Sequence, residues 1–107
     1  MERIYSNEKL EDNWFFVDGY KINPKQPTVF YGDIGTHLTQ NEFKLLLYLV
    51  KNKNDVLTRE QILEKVWGFN YFGSGRAVDN TIRRLRNKMK NLNIYTAYGY
   101  GYKLVVK

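Results

Sequence analysis

The sequence predicts an α+β fold in a single domain, with a small antiparallel sheet first, then three helices, then a C-terminal β-hairpin. Three observations predict this order. Short extended segments separated by turn residues come first, two threonine-initiated segments with helical spacing follow, and a basic helical segment precedes two strands around Gly99-Tyr100-Gly101. At 107 residues the chain is long enough to bury a core without disulfides or metals.

The N-terminal third divides into a polar start and a set of extended segments. Residues 1–13 (MERIYSNEKLEDN) have no periodicity, so we predict a linker or mobile start there and a domain over residues 14–106. The extended segments that follow are 14–17, 20–23, 28–31 and 34–38, separated by Asp18-Gly19, residues 24–27 and Gly32-Asp33. Asp-Gly and Gly-Asp pairs suit tight hairpin turns, and the segments therefore predict an antiparallel sheet.

Two capping signals predict the first two helices. Thr39 and Glu42 have the capping-box spacing, and apolar residues at helical spacing follow, which predicts a helix that ends near Asn52. Thr58 and Gln61 repeat the signal and predict a shorter helix that stops at Gly68.

The third helix is predicted over residues 76–90, and it is basic. Its core side is formed by residues that recur at i, i+4, i+7 and i+11, namely Val78, Ile82, Leu85 and Met89. The opposite face carries Arg76, Asn80, Arg83 and Asn87, with Ala77 and Arg84 on one flank. Arginine can grip guanine or phosphate, and asparagine can pair with the edge of adenine, although any solvated helix face is also rich in these residues.

The charge distribution points to a polyanionic partner. Residues 76–107 contain eight Lys/Arg and one acid, a net charge of +7, whereas residues 1–75 have a net charge of −1. Such asymmetry is typical of nucleic-acid binding. Two predicted strands, 94–98 and 102–106, complete the order of a winged helix-turn-helix, in which the third helix enters the major groove and the hairpin reaches the flanking backbone or minor groove.

The composition gives no support to an enzyme. Without cysteine and with His37 as the single histidine, neither a His-Cys pair nor a multi-histidine metal site can form, so we predict no catalytic residue, metal or cofactor. His37 is predicted to be a polar strand residue beside the first helix cap. The longest apolar run has six residues (45–50), too few to cross a bilayer, so we expect no membrane partner. The absence of cysteine fits the cytosol, and we expect a cytoplasmic protein.

Four blocks of the sequence resemble one family: LTQNEFKLLLYL (38–49), LTREQILEKVWG (57–68), RAVDNTIRRLRNKM (76–89) and IYTAYGYGYKL (94–104). Residues 14–106 resemble the effector domain of OmpR/PhoB-type response regulators. The resemblance implies a four-stranded N-terminal sheet before the winged helix, and a two-component transcription factor in which a phosphorylated receiver domain precedes this domain. The receiver is absent from this sequence, so residues 1–13 end an interdomain linker or the protein is a receiverless regulator.

The resemblance also implies DNA-contacting positions in the third helix. Family members contact bases or phosphates from the positions of Arg76, Ala77, Asn80, Thr81, Arg83, Arg84 and Arg86. We expect Arg84 and Asn80 to read bases, and the other arginines to hold phosphates. Asp79 is the one acid in this helix, and we expect it to pair with Arg83 or to anchor a neighbouring element, with cytosine reading as the alternative.

The wing and the loop before the third helix each leave two interpretations open. Tyr98 stands where family members commonly carry a wing arginine, so Tyr98 and Tyr100 could pack against sugar or phosphate with Lys103 supplying charge. Alternatively, Tyr98, Tyr100 and Tyr102 cover the hairpin and core. The family loop at residues 68–75 is implicated in touching RNA polymerase, which Phe69, Tyr71 and Phe72 could do, or they could fold against Trp67.

The expected partner is double-stranded DNA carrying direct repeats. The resemblance implies two domains bound head to tail, about 10 to 10.5 bp apart, and a monomer in the absence of DNA. A sensor kinase would act only through the missing receiver. A winged helix used for protein contacts, RNA or nonspecific DNA is the alternative, although duplex RNA hides its major groove from side chains.

Overall fold

The computed structural model describes residues 14–69, 71 and 73–107, and it confirms the predicted α+β winged-helix architecture. The predictions for residues 1–13 lie outside the described residues. Four antiparallel strands form the first sheet in the order β1-β2-β3-β4. They are β1 (Phe15–Val17), β2 (Tyr20–Asn23), β3 (Gln26–Tyr31) and β4 (Ile34–His37).

The turns of this sheet lie at the predicted breaks, and the strand bounds differ from the predicted ones by at most two residues. Asp18 and Gly19 both have positive φ, 49° and 88°, as a two-residue hairpin turn of type I′ requires. Strand β3 begins at Gln26, two residues before the predicted start at Thr28, and it includes Pro27. The β2–β3 register shifts between Lys21 and Asn23, so the proline, which has no N–H, lies where the ladder is irregular.

Both capping-box predictions are confirmed. Helix α1 (Gln40–Lys51) begins after Thr39, whose hydroxyl accepts from the Glu42 N–H, and it ends at the cap residue Asn52. Helix α2 (Arg59–Trp67) begins in the same way after Thr58 and ends at Gly68. These reciprocal bonds satisfy backbone donors that the first turn of a helix leaves free.

The third helix, α3 (Arg76–Lys88), starts at the predicted residue and ends two residues earlier than predicted. The four residues predicted to face the core are all buried, namely Val78, Ile82, Leu85 and Met89. They pack with residues of α1, α2 and both sheets in one core, which includes Ile22, Val29, Leu38, Leu45, Leu46, Leu49, Ile62 and Leu104.

A second sheet, of three strands, contains the predicted hairpin and one strand that the sequence did not predict. The hairpin strands are β6 (Ile94–Ala97) and β7 (Gly101–Leu104), and β5 (Leu57–Thr58) pairs with β7 in the order β5-β7-β6. A Cβ atom at Gly101 would lie 1.9 Å from the Leu57 carbonyl oxygen, so only glycine permits this close approach. The pairing fixes the base of the wing against the start of α2.

Among the described helices, none combines the length and apolarity needed for a membrane span.

Candidate nucleic-acid interface

The face of α3 opposite the core is solvent-exposed along its length. Arg76, Asn80, Arg83 and Asn87 are all exposed, and Ala77 is half-buried beside them. The sequence predicted this division from helical periodicity alone. The face offers two guanidinium groups and two carboxamides, which are the side chains best suited to bind phosphates and base edges.

Thr81 was also predicted to contact DNA, and its placement corrects that prediction. Its side chain is 0% exposed, and its hydroxyl donates to the Ala77 carbonyl oxygen at 2.8 Å. The reason is periodicity, because Thr81 lies three residues after Val78 and four before Leu85 and therefore belongs to the buried stripe.

Arg84 lies at the edge of the exposed face and is held on two sides. Its side chain is 48% exposed, and its Nε atom lies 3.3 Å from Glu42 Oε2, an ion-pair contact without hydrogen-bond geometry. Its Nη2 atom donates to the Thr81 hydroxyl at 3.2 Å. Contacts with α1 and with its own helix therefore orient the guanidinium, while about half of the side chain stays open to solvent.

Glu42 is a buried carboxylate at the junction of α1 and α3. Its Oε1 atom accepts from the Thr39 N–H at 2.9 Å and from Lys88 Nζ at 2.7 Å. Burial by itself raises the pKa of this carboxyl, but the hydrogen bonds from Lys88 and Thr39 and the charges of Lys88 and Arg84 together bring the pKa below its ordinary value of 4.5. Glu42 is therefore ionised at neutral pH.

Arg86, predicted to hold a phosphate, is instead bound to the hairpin. Its Nη2 atom donates to the Ile94 carbonyl oxygen and, at 2.8 Å, to the Thr96 hydroxyl. Its guanidinium carbon lies 5.6 Å from the centre of the Tyr102 ring. The structure therefore does not group Arg86 with the exposed arginines of α3, because strand β6 offers it two acceptors that helical periodicity does not reveal.

Asp79 anchors two neighbouring elements, which confirms one of the roles expected for it. Arg59 of α2 reaches both carboxylate oxygens, with Nε 3.2 Å from Oδ1 and Nη2 2.8 Å from Oδ2. The Tyr102 hydroxyl of the hairpin donates to Oδ1 at 2.7 Å. Burial and the hydrogen bond to Asp79 raise the pKa of Tyr102 to about 12, so this donor keeps its proton. The alternative partner, Arg83, is not the residue that pairs with Asp79.

The tip of the wing carries two exposed tyrosines. Tyr98 is 86% exposed and Tyr100 is 71% exposed, so neither packs into the core, whereas Tyr102 is buried. Lys103 is half-buried and places its Nζ atom 5.4 Å from the centre of the Tyr95 ring.

Two aromatic residues of the loop between α2 and α3 have different surroundings, since one is exposed and the other packs against Trp67. Phe69 is 84% exposed. The Tyr71 ring packs beside Trp67, with 6.2 Å between ring centroids, and is partly exposed. Phe72 lies outside the described residues.

Several residues that organise this surface were missed by the sequence analysis. Glu42 was interpreted only as a cap, and Arg59 and Lys88 were given no role. One signal was available for Glu42, because it lies three residues before Leu45 and seven before Leu49 on the apolar stripe of α1, where a carboxylate needs cationic partners. In the part of the chain that the structure describes, no cluster of three or more His, Asp or Glu side chains could hold a metal ion.

Residues 33–104 match the family described as "Transcriptional regulatory protein, C terminal". The chain belongs to this family. The match includes the last strand of the first sheet, all three helices and the wing, so the matched residues contain every element of the candidate interface.

Curated relatives of this regulator domain are longer proteins. The transcriptional regulatory protein CssR of Bacillus subtilis is 41% identical over 98 residues, which are 90% of this chain and 43% of CssR. The uncharacterized transcriptional regulatory protein YkoG of the same organism is 45% identical over 101 residues, which are 88% of this chain and 44% of YkoG. The chain thus spans less than half of the length of these relatives.

Solved structures confirm the fold and the OmpR/PhoB-type resemblance. The DNA-binding domain of B. subtilis CssR superimposes with a TM-score of 0.76 at 42% identity, covering 79% of this chain and 98% of that domain. DrrB of Thermotoga maritima, an OmpR/PhoB homologue, gives a TM-score of 0.77 at 31% identity, covering 94% of this chain and 49% of DrrB. The Klebsiella pneumoniae RstA DNA-binding domain, solved in complex with the RstA box, gives 0.75 at 26% identity, covering 86% of this chain and 96% of that domain.

Proposed function

We propose that this domain binds double-stranded DNA sequence-specifically, as the effector domain of a two-component response regulator that controls transcription. The observation that carries the proposal is the exposed Arg/Asn face of α3, which lies opposite a fully buried stripe and is therefore free to enter a major groove. Relatives support it, because the CssR and RstA structures are of DNA-binding domains and the RstA domain was solved with its box.

Within α3, the position of each residue on the helix determines the role that we assign to it in DNA binding. Arg84 and Asn80 read base edges, because one is a pre-oriented guanidinium and the other an exposed carboxamide. Arg76 and Arg83 bind phosphates, and Ala77 lets the backbone approach closely. Arg86 no longer belongs to the phosphate-binding set and instead holds the wing to the helix.

The wing extends the contact beyond the major groove. Tyr98 and Tyr100 project from its tip and pack against sugar and phosphate of the flanking duplex, with Lys103 adding charge at the base. The bonds from Tyr102 to Asp79 and from Arg86 to strand β6 hold the wing to α3, and the bonds from Arg59 to Asp79 hold α2 to α3. Helix and wing therefore meet the DNA as one rigid surface.

Further partners follow from the proposed regulator. Two domains bind head to tail on direct repeats about one helical turn apart. Phe69, exposed in the loop before α3 beside Tyr71, touches RNA polymerase. The same role was predicted for Phe72, which lies outside the described residues. A sensor kinase acts only through a receiver domain elsewhere in the regulator, by phosphorylation.

Selection of bound duplexes from a random DNA pool at near-physiological salt tests the proposal. We expect enrichment of a short motif present as direct repeats one turn apart. Retention of DNA without enrichment would indicate nonspecific binding driven by charge, and no retention would favour a winged helix used for protein contacts. Competition with duplex RNA at matched charge is the control, and we expect it to displace DNA poorly.

A further inference from the structure

Glu42 connects the N-terminal cap of α1 to two cations of α3. Its side chain is 0% exposed. One carboxylate oxygen binds the Thr39 N–H and Lys88 Nζ, and the other lies 3.3 Å from Arg84 Nε. A buried carboxylate destabilises the fold unless cations and hydrogen-bond donors compensate its charge. Glu42 therefore requires the two cations of α3 to stay beside it.

The cap itself does not require the charge. In the second capping box, Gln61 Oε1 accepts from the Thr58 N–H at 2.8 Å, and the Gln61 N–H donates to the Thr58 hydroxyl at 3.0 Å. A neutral amide thus closes the same motif in the same protein. The negative charge at position 42 therefore adds to the cap an interaction with the two cations of α3.

We propose that Glu42 is a positioning residue for Arg84, which fixes the orientation of the guanidinium before DNA arrives and so sharpens sequence discrimination. The inference rests on the proposed base-reading role of Arg84. The Glu42 carboxylate attracts Nε across an ion-pair distance of 3.3 Å and the Thr81 hydroxyl accepts from Nη2, while about half of the Arg84 side chain stays exposed. A planar group that is already oriented loses less rotamer freedom on binding, and it can match only the base edge that it faces.

The same carboxylate also opposes nonspecific binding. It contributes one negative charge directly behind the DNA-facing helix, and this charge repels the phosphates of every duplex alike. Removal of the charge therefore has effects of opposite sign, a weaker preference for the operator and an equal or stronger affinity for random DNA. Damage to the fold would instead weaken both.

The test begins with Glu42→Gln, which keeps the side-chain volume and the capping geometry seen at Gln61. Affinities are measured for the duplex obtained from the random-pool selection and for a random duplex of equal length, at one salt concentration. We expect the specificity ratio to fall about three- to tenfold, as expected from the loss of order in one long side chain. The random duplex should bind at least as tightly as it binds the native protein.

Two further variants control for the cap and for folding. The reciprocal exchange Gln61→Glu changes the charge at the other capping box, away from Arg84, and should leave the ratio unchanged. Thr81→Val removes the second contact of the Arg84 guanidinium without a change of charge, and we expect a smaller fall in the ratio. Thermal unfolding of each variant establishes that the compared proteins are folded. An unchanged ratio in folded Glu42→Gln or, if that variant does not fold, in Thr81→Val would overturn the inference.

A double-mutant cycle with Arg84→Met separates the inference from the proposed function. If Glu42 acts through Arg84, Glu42→Gln has no further effect on the ratio once Arg84 is replaced. An equal fall in both backgrounds would overturn the positioning role and leave DNA recognition intact. If Arg84→Met alone leaves the ratio unchanged, both the base-reading role of Arg84 and the inference are overturned.

Discussion

Arg83 and Arg86 lie three residues apart on α3, and their guanidinium groups have different surroundings. Arg83 is exposed on the face that we propose meets DNA. Arg86 is half-buried and donates to strand β6 of the wing. The comparison teaches that the net charge of +7 over residues 76–107 is not a count of DNA contacts, because part of that charge holds the domain together.

The largest difference expected between variants of these two arginines is in the stability of the fold. Arg86→Met removes two hydrogen bonds from a charged donor and leaves the Ile94 carbonyl oxygen without this partner, so we expect the free energy of unfolding to fall by about 2 kcal/mol. Urea or thermal unfolding measures it. Arg83→Met is the matched control and should stay within about 0.5 kcal/mol of the native protein. Equal stabilities for the two variants would contradict the structural role of Arg86.

For DNA binding we expect the reverse order, with a larger effect from replacing Arg83 than from replacing Arg86. Arg83→Met should weaken binding to operator and random duplexes alike and reduce the slope of log K against log salt by about one, because one phosphate contact is lost. The slope is obtained from a salt series with each duplex. Arg86→Met, measured below its unfolding temperature, should keep the native slope. A native slope for Arg83→Met would mean that Arg83 does not contact a phosphate.

The ion pairs behind Arg84 make a prediction about pH. Because the folded-state pKa of Glu42 is below its ordinary value of 4.5, its ionisation stabilises the fold above that value and the stabilisation is lost as pH falls through the folded pKa. The difference in unfolding free energy between the native protein and Glu42→Gln should therefore shrink from about pH 7 to about pH 3. A difference independent of pH would mean that the charge of Glu42 adds nothing to stability.

The smallest expected effect is at the tip of the wing. Tyr98→Arg places a cation at an 86% exposed position, where the negative potential of a narrow minor groove can attract it. We expect a few-fold tighter binding, with a stronger preference for A·T-rich flanks. Tyr95→Arg adds the same charge elsewhere on the hairpin and controls for net charge. The same gain from both variants would mean that the tip does not reach the groove.

Local signals explain which parts of the fold the sequence could predict. Thr39 and Thr58 begin helices through bonds to residues three positions away, so their effect is visible in the sequence. Strand β5 was missed because a two-residue strand has no periodicity and exists only through its pairing with β7. Element order and the residues at which the helices begin were therefore predictable, whereas the third strand of the wing sheet was not.

The same distinction applies to the candidate site. Helical periodicity correctly predicted the exposed face of α3, and it could have excluded Thr81, which was included through the family resemblance alone. The acceptors of Arg86 and the cationic partners of Glu42 lie eight or more residues away in the chain, on other elements. No spacing rule identifies such partners, so an arginine that holds the wing and an arginine that is free look alike in the sequence.

The most direct test of the account is a crystal structure of this domain bound to the duplex that random-pool selection yields. We predict that α3 lies in the major groove with Arg84 and Asn80 in hydrogen-bond contact with base edges, Arg76 and Arg83 on phosphates, and Arg86 still bonded to Ile94 and Thr96. A complex in which α3 faces solvent, or in which Arg86 leaves the hairpin to bind phosphate while Arg83 stays free, would contradict the account.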